Sequence, residues 1–391
     1  MSKDLKNLIV KTGNEAIALA MKQINPDVVA AYPITPATEI MQIFSQYVAD
    51  GEVTTEFIPV ESEHSAMSAC VGAAACGART MTATSSQGLA LMYEVLNIAS
   101  GLRLPIVMAV ANRALSAPIN IHGDQSDTMG VRDCGWIQLY SETVQEVYDN
   151  FITAVKIAEA CFLPVMVTMD GFILTHCLEP FKMEETKKIR QFLGQPKSLY
   201  SLLNQKITVG AIDFQDYYFE HKRQEAEAMK EAKGIIQRVD KDFQKNFGRR
   251  YDLFEQYQLA DAEIVIIVAG STAGIVKEVI DDLRRKDKKV GLLKIRVFRP
   301  WPYNELRKVL KEKKVIAVLD KADSYNSFSG PIGSEIRTAL YNNCRAKIVN
   351  YIYGLGGRDI TFDDISFVFN DLFKIIQYNK QTFEIKYLGV R

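Results

Sequence analysis

Glu63, Thr35 and Arg113 are the side chains whose types and local sequence best suit them to chemistry. Glu63 follows a strand-like run, residues 54–60, and opens a helix-like run whose next stretch, residues 65–77, reads SAMSACVGAAACG. A carboxylate in a helix's first turn is ordinarily a partner for the macrodipole, worth ~0.3–1 kcal/mol. Here almost every following residue is small, so the helix can pack closely on its neighbours. A carboxylate held rigidly on such a dry floor suits proton transfer to a ligand nitrogen. Thr35 stands in Tyr32-Pro33-Ile34-Thr35-Pro36, where two prolines fix the loop. Its hydroxyl either caps the next helix, with Pro36 in the first helical position, or is aimed at a ligand. Arg113 lies just beyond an apolar strand-like run, residues 105–111. Its guanidinium can grip a carboxylate through two parallel hydrogen bonds, which suits a small 2-oxo acid. The loop that follows, residues 117–127, is long and polar, and in it His122 and Asp124 either serve as acid–base groups or shape the loop.

These residues need a scaffold that gathers them, and the sequence pattern supplies one. Over the first 180 residues strand and helix signals alternate as in βαβ units. Thr12-Gly13-Asn14-Glu15 fits a capping box that starts a helix to about Gln23. Strands are expected at 28–31, 54–60, 79–84, 105–111 and 164–169, with helices near 35–48, 62–76, 88–100 and 143–159. The strand runs are apolar throughout rather than alternating, which indicates a parallel sheet covered by helices on both faces. Ligands of such sheets bind at the carboxyl ends of the strands, where Glu63, Thr35 and Arg113 all fall. Residues 214–247 are charge-rich and read as one long surface or connecting helix. A second α/β unit begins at Ala262, with strands at 264–269, 289–297, 315–319 and 347–353 and helices near 274–285, 304–312, 333–342 and from 362 onward. Its turn Gly270-Ser271-Thr272-Ala273-Gly274 either cradles an anion at a helix start or is simply a tight turn.

Composition narrows the classes. The 391 residues are 48% apolar and 24% charged, with 47 basic and 47 acidic side chains, so no basic field recruits nucleic acid. No run reaches the roughly 18 apolar residues that a membrane helix needs, and the N-terminus has no apolar leader core; a cytoplasmic protein is expected. The six cysteines form no C-x-x-C pair, so buried free thiols are expected rather than zinc or iron–sulfur ligands. G-x-G-x-x-G, G-x-x-x-x-G-K-[ST] and G-x-S-x-G are all absent.

Four ordered stretches now point to a family: VVAAYPITPATEI at 28–40, VESEHSAMSA at 60–69, RTMTATSSQGLALMYEVLNIASG at 79–101 and RLPIVMAVANRALSAPIN at 103–120. Gly135-Trp136 and Met169-Asp170-Gly171-Phe172-Ile173-Leu174-Thr175-His176 extend the run. Phe298-Arg299-Pro300-Trp301-Pro302 and Gly354-Leu355-Gly356-Gly357 continue it more loosely. The chain resembles the α subunit of multi-subunit 2-oxoacid:ferredoxin oxidoreductases, of the pyruvate (pyruvate synthase) type.

The resemblance implies an α/β fold. Residues 1–180 would be a doubly wound parallel sheet, the pyrimidine-binding domain of a thiamine diphosphate site. Residues 181–258 would be a largely helical connection, and 259–391 a second, smaller domain like the C-terminal one of transketolase. The family's activating glutamate falls on Glu63, opposite the aminopyrimidine ring nitrogen. Its substrate-contacting threonine and arginine fall on Thr35 and Arg113, and Ser86, Gln87 and Gly88 occupy a stretch near the cofactor. The diphosphate half carries Gly-Asp-Gly and a later asparagine in relatives, and this sequence has no Gly-Asp-Gly. Thiamine diphosphate would therefore be shared with a diphosphate-binding β subunit holding Mg2+. The [4Fe-4S] clusters would lie on partner chains, including γ-type subunits, with ferredoxin, pyruvate and coenzyme A as reactants. Neutral Thr35 favours a monocarboxylate, because an oxalate-using relative would carry positive charge there. Branched-chain 2-oxo acid enzymes share nearly the same motifs, and a noncatalytic structural subunit is the alternative of another class.

Overall fold

The computed structural model describes residues 7–379 and 385–391. Its first helix, Gly13–Ile24, begins at the expected capping box. The Thr12 hydroxyl accepts the Glu15 N–H at 3.2 Å, and the Glu15 carboxylate accepts the Thr12 N–H at 2.9 Å. From there strand and helix alternate into a seven-stranded sheet. In spatial order its strands are Val297–Arg299, Ile137–Tyr140, Val165–Asp170, Val107–Asn112, Thr80–Thr84, Val28–Ala31 and Glu56–Pro59. All neighbours run parallel except the first pair. The strands Thr80–Thr84, Val107–Asn112 and Val165–Asp170 are buried along their whole length, as expected of a sheet covered on both faces.

The second sheet has six strands in the order Lys386–Tyr387, Lys347–Ile352, Val315–Asp320, Ile264–Ala269, Val290–Ile295 and Phe254–Tyr257, with only the last antiparallel to its neighbour. The single strand expected at 289–297 divides at Arg296. Residues before it join the second sheet, and Val297–Arg299 crosses to the edge of the first. Arg296 explains the break: it is buried, and its guanidinium bonds Asp240 at 2.8 and 3.1 Å and the Asn150 side chain at 2.8 Å. A buried arginine needs these partners, and they lie between the two sheets.

The charge-rich stretch forms one helix, Tyr218–Phe247. Its inward residues, Ala228, Ala232, Ile236, Val239, Phe243 and Phe247, recur every three or four positions and pack into the core of the first sheet. Two expected details are corrected. The helix expected near 88–100 is two, Ser86–Leu91 and Tyr93–Gly101, meeting at Met92. The helix after Pro36 starts only at Thr38, with Ala37 as its cap and no side-chain capping bond. Thr35 is thus no cap; the turn closes instead by the Ala37 N–H donating to Ile34 O at 2.8 Å.

Candidate active site

Strand order locates the crevice. The chain leaves Val28–Ala31 toward Glu56–Pro59 on one side, and leaves Thr80–Thr84 toward Val107–Asn112 on the other. The carboxyl ends of Val28–Ala31 and Thr80–Thr84 therefore flank a topological switch point, where open α/β sheets hold their ligands. Thr35, Glu63, the 85–88 turn and Arg113 follow the ends of these four strands.

Glu63 is the first residue of the helix Glu63–Ala75, whose cap Ser62 accepts the Ser65 N–H at 3.2 Å. Glu63 is only 6% exposed, and among the described residues its carboxylate makes no hydrogen bond or ion pair. A largely buried carboxylate left without such a partner is available to a ligand. The neighbouring turn fits one. A Cβ on Gly88 would stand 2.5 Å from Glu63 Oε1 and 2.5 Å from Thr84 Oγ1, so only glycine lets the turn lie against the carboxylate. The Thr84 and Ser85 hydroxyls are buried without a hydrogen-bond partner among the described residues. A carboxylate beside an unmatched hydroxyl suits the nitrogen-rich edge of an aminopyrimidine. Ser86 adopts a left-handed backbone (φ 48°), an uncommon state for a non-glycine residue that clusters at functional sites. Its hydroxyl lies 2.6 Å from both Ala114 O and Gln87 Oε1.

Thr35 and Arg113 come together. Arg113 is buried; its Nη1 donates to Thr35 O at 2.9 Å and its Nε to Asn120 O at 2.9 Å. Nη2 makes no hydrogen bond among the described residues, leaving part of the fork for a ligand. The Thr35 side chain is exposed and makes no hydrogen bond among the described residues. Asn14, from the first helix, holds this turn by donating to Pro36 O at 2.8 Å.

Asp127 is the site residue that sequence reasoning missed. One of its oxygens, Oδ2, accepts the backbone N–H of both Ser86 and Arg113, each at 3.0 Å. The other accepts Asn112 Nδ2 at 2.8 Å and the Thr128 N–H at 2.7 Å. Burial pushes its carboxyl up to about 7 against the pull of these donors. The only sequence signal was its place in the long polar loop. His122 and Asp124 shape that loop. The His122 ring packs on Phe172 with centroids 5.0 Å apart, and Asp124 accepts from Ser126 N at 3.0 Å and from Gly356 N at 3.0 Å.

Other candidates resolve as structure. The Gly270–Ser271 turn does cradle an anion, but it is the chain's own Asp170, whose carboxylate accepts the Ser271 N–H at 2.8 Å. Glu142, Glu146 and Glu255 form the one acidic trio close enough to share a cation among the described residues. Lys294 Nζ fills it, at 2.5–2.6 Å from each carboxylate, so the trio is an ion-pair cluster. Cys70, Cys134 and Cys161 are buried as expected, whereas Cys177 is exposed; all six are free thiols.

A family model described as pyruvate flavodoxin/ferredoxin oxidoreductase, thiamine diphosphate-binding, matches residues 19–241. A second, pyruvate:ferredoxin oxidoreductase core domain II, matches 262–365. The chain is 51% identical to pyruvate synthase subunit PorA of Thermotoga maritima over 98% of each chain. It is also 51% identical to the PorA subunit of Methanocaldococcus jannaschii over 93% of this chain and 95% of that one. To ketoisovalerate oxidoreductase subunit VorA of Pyrococcus abyssi it is 44% identical, over 98% of each. Its fold matches a solved 2-oxoglutarate:ferredoxin oxidoreductase from Magnetococcus marinus with a TM-score of 0.74 at 20% identity, over 95% of this chain and 66% of that one.

Proposed function

The chain belongs to the pyruvate flavodoxin/ferredoxin oxidoreductase family, and from that premise we propose that it is the α-type subunit of a multi-subunit pyruvate:ferredoxin oxidoreductase. The reaction is the reversible conversion of pyruvate, coenzyme A and oxidised ferredoxin to acetyl-CoA, CO2 and reduced ferredoxin. The observation that carries the reading is Glu63, a buried residue whose carboxylate has no partner among the described residues, at the switch-point crevice.

Glu63 would hold a proton at the pyrimidine ring nitrogen of thiamine diphosphate, with Ser86, Gln87 and Gly88 lining the same pocket. When bound, the cofactor supplies the electron sink that decarboxylation of a 2-oxo acid requires. Arg113 grips the substrate carboxylate with its free N–H groups, and the Thr35 hydroxyl donates beside it. A single arginine with a neutral threonine matches a monocarboxylate. Partner chains complete the enzyme: a β-type subunit for the diphosphate and Mg2+, and iron–sulfur subunits for electron exit. The sequence supports that division, having neither Gly-Asp-Gly nor a C-x-x-C pair. So do Ile119 and Ile121, large apolar side chains exposed on the loop that holds Arg113.

The test is to co-purify the chain with its partners and measure viologen reduction with pyruvate, 2-oxoisovalerate and 2-oxoglutarate. Pyruvate is expected to give the highest kcat/KM. Preference for 2-oxoisovalerate would move the chain to the ketoisovalerate branch, and inactivity of an intact complex with all three would overturn the catalytic reading.

A further inference from the structure

We infer that Asp127 is the positioning residue that locks the cofactor side of the site to the substrate side. The inference rests on the roles proposed above for Gly88 and Arg113. Residues just beyond two neighbouring strands must be held together for these roles to coexist: Ser86, two past Thr80–Thr84, and Arg113, one past Val107–Asn112. No ladder bond does this, because the ladder between the two strands ends at Thr84 and Val110. Asp127 Oδ2 does it instead, receiving both backbone N–H groups at 3.0 Å. The Ser86 N–H belongs to the left-handed residue that aims the Gly88 turn at Glu63. The Arg113 N–H belongs to the residue whose side chain reaches Thr35 O.

The rest of the Asp127 environment keeps that oxygen fixed. Asn112 Nδ2 and the Thr128 N–H hold Oδ1, and Asn112 Nδ2 also donates to Thr128 Oγ1 at 2.8 Å. Thr128 Oγ1 lies 2.8 Å from the buried Tyr140 hydroxyl, so the network reaches the strand Ile137–Tyr140. Asp127 is 2% exposed and both its oxygens are taken by the chain's own donors, so it acts through Ser86 and Arg113 rather than on a ligand. It therefore couples two subsites without lining either one.

Loss of a carboxylate that accepts two buried N–H groups typically weakens what those groups hold by about tenfold or more. The test uses the assembled complex carrying Asp127→Ala, measuring KM for pyruvate and the dissociation constant of thiamine diphosphate. Both are expected to rise by about tenfold or more, a joint shift that a residue serving one subsite would not give. Asp127→Asn keeps an acceptor for Ser86 and Arg113. Asn112 Oδ1, without a partner among the described residues, can turn to receive its new amide, while the Thr128 N–H loses its acceptor, so both constants should rise clearly less than in the alanine variant. If Asp127→Ala does not assemble, Asp127→Ser, which also lacks the oxygen that receives both amides, should raise both constants in the same way. Unchanged constants in the assembled alanine or serine variant, or an asparagine variant as impaired as alanine, would overturn the inference. Arg113→Ala is run in parallel: it should raise KM for pyruvate alone. An unchanged KM there would sink the substrate-site reading itself, separately from the role of Asp127.

Discussion

At the scale of single residues the site depends on buried polar groups that the protein leaves unmatched. Glu63 lies beside the Thr84 hydroxyl, which, like that of Ser85, is buried without a partner among the described residues, and burying such hydroxyls unmatched costs stability that a bound ligand can restore. Glu63→Gln keeps size and shape but removes the carboxylate proposed to hold the cofactor's proton. Turnover of the assembled complex should fall by about 10²–10⁴-fold, the usual contribution of a positioned acid–base group, while subunit assembly stays intact. Near-normal turnover by an intact Glu63→Gln complex would remove Glu63 from the cofactor-activating role.

At the scale of elements, close approach is what brings these residues to bear. The turn after Thr80–Thr84 meets the helix Glu63–Ala75 with no room for a side chain at Gly88. Gly88→Ala should push the Glu63 carboxylate aside. A displacement of that kind costs about 10²-fold in rate. Turnover at saturating cofactor reads it, and an unaffected rate would mean that the turn can yield. The second sheet uses a similar close contact for stability: Asp320, ending the strand Val315–Asp320, accepts the Ile332 and Gly333 N–H groups at 2.7 and 3.0 Å. Burial pushes its carboxyl up to about 6 from an ordinary value of 3.8. Because the folded value is the higher one, the stability it contributes is present below about pH 4 and is lost as pH rises to about 6. Asp320→Asn lacks this dependence. The melting temperature of that variant relative to the parent should climb between those pH values and level off above them. A relative fall over the same window would show that the N–H donors outweigh burial.

Sequence reading located these elements better than it located their contacts. The alternation of buried runs and helices, the capping box at Thr12 and the strand-end positions of Thr35, Glu63 and Arg113 are local patterns, and each was legible. Asp127, Asn14 and the division at Arg296 were not. Each answers to a partner far along the chain: Asp127 to Ser86, Asn14 to Pro36, Arg296 to Asp240. The misread start of the helix after Pro36 has a related cause. Thr35 and Pro36 match a helix-start pattern locally, yet their carbonyl oxygens are taken by Arg113 and Asn14, and the helix begins two residues later.

At the scale of the whole molecule, the second sheet reaches into the substrate side of the first through the turn Gly354-Leu355-Gly356-Gly357. Gly356 N donates to Asp124 at 3.0 Å, and Asn120 Nδ2 donates to Gly356 O at 3.0 Å. Asn120 is also the residue whose carbonyl receives Arg113 Nε, so the clasp between the two units is one bond away from the guanidinium. Gly357 makes the clasp possible. Its φ is 78°, and a Cβ there would come within 2.3 Å of His122 Cβ. Gly357→Ala must therefore either strain the turn or drive the loop of residues 120–124 outward, at a cost of about 1–3 kcal/mol. If the loop yields, Arg113 loses the carbonyl that orients it, and KM for pyruvate in the assembled complex should rise by about tenfold. Cofactor affinity should change little, because Ser86 and Gly88 are held from Asp127 on the opposite side of the arginine. A lowered melting temperature with an unchanged KM would reduce the clasp to a stabilising contact between the units. A raised KM with little change in cofactor binding would make the second unit a determinant of substrate binding in an enzyme whose reacting groups all lie elsewhere.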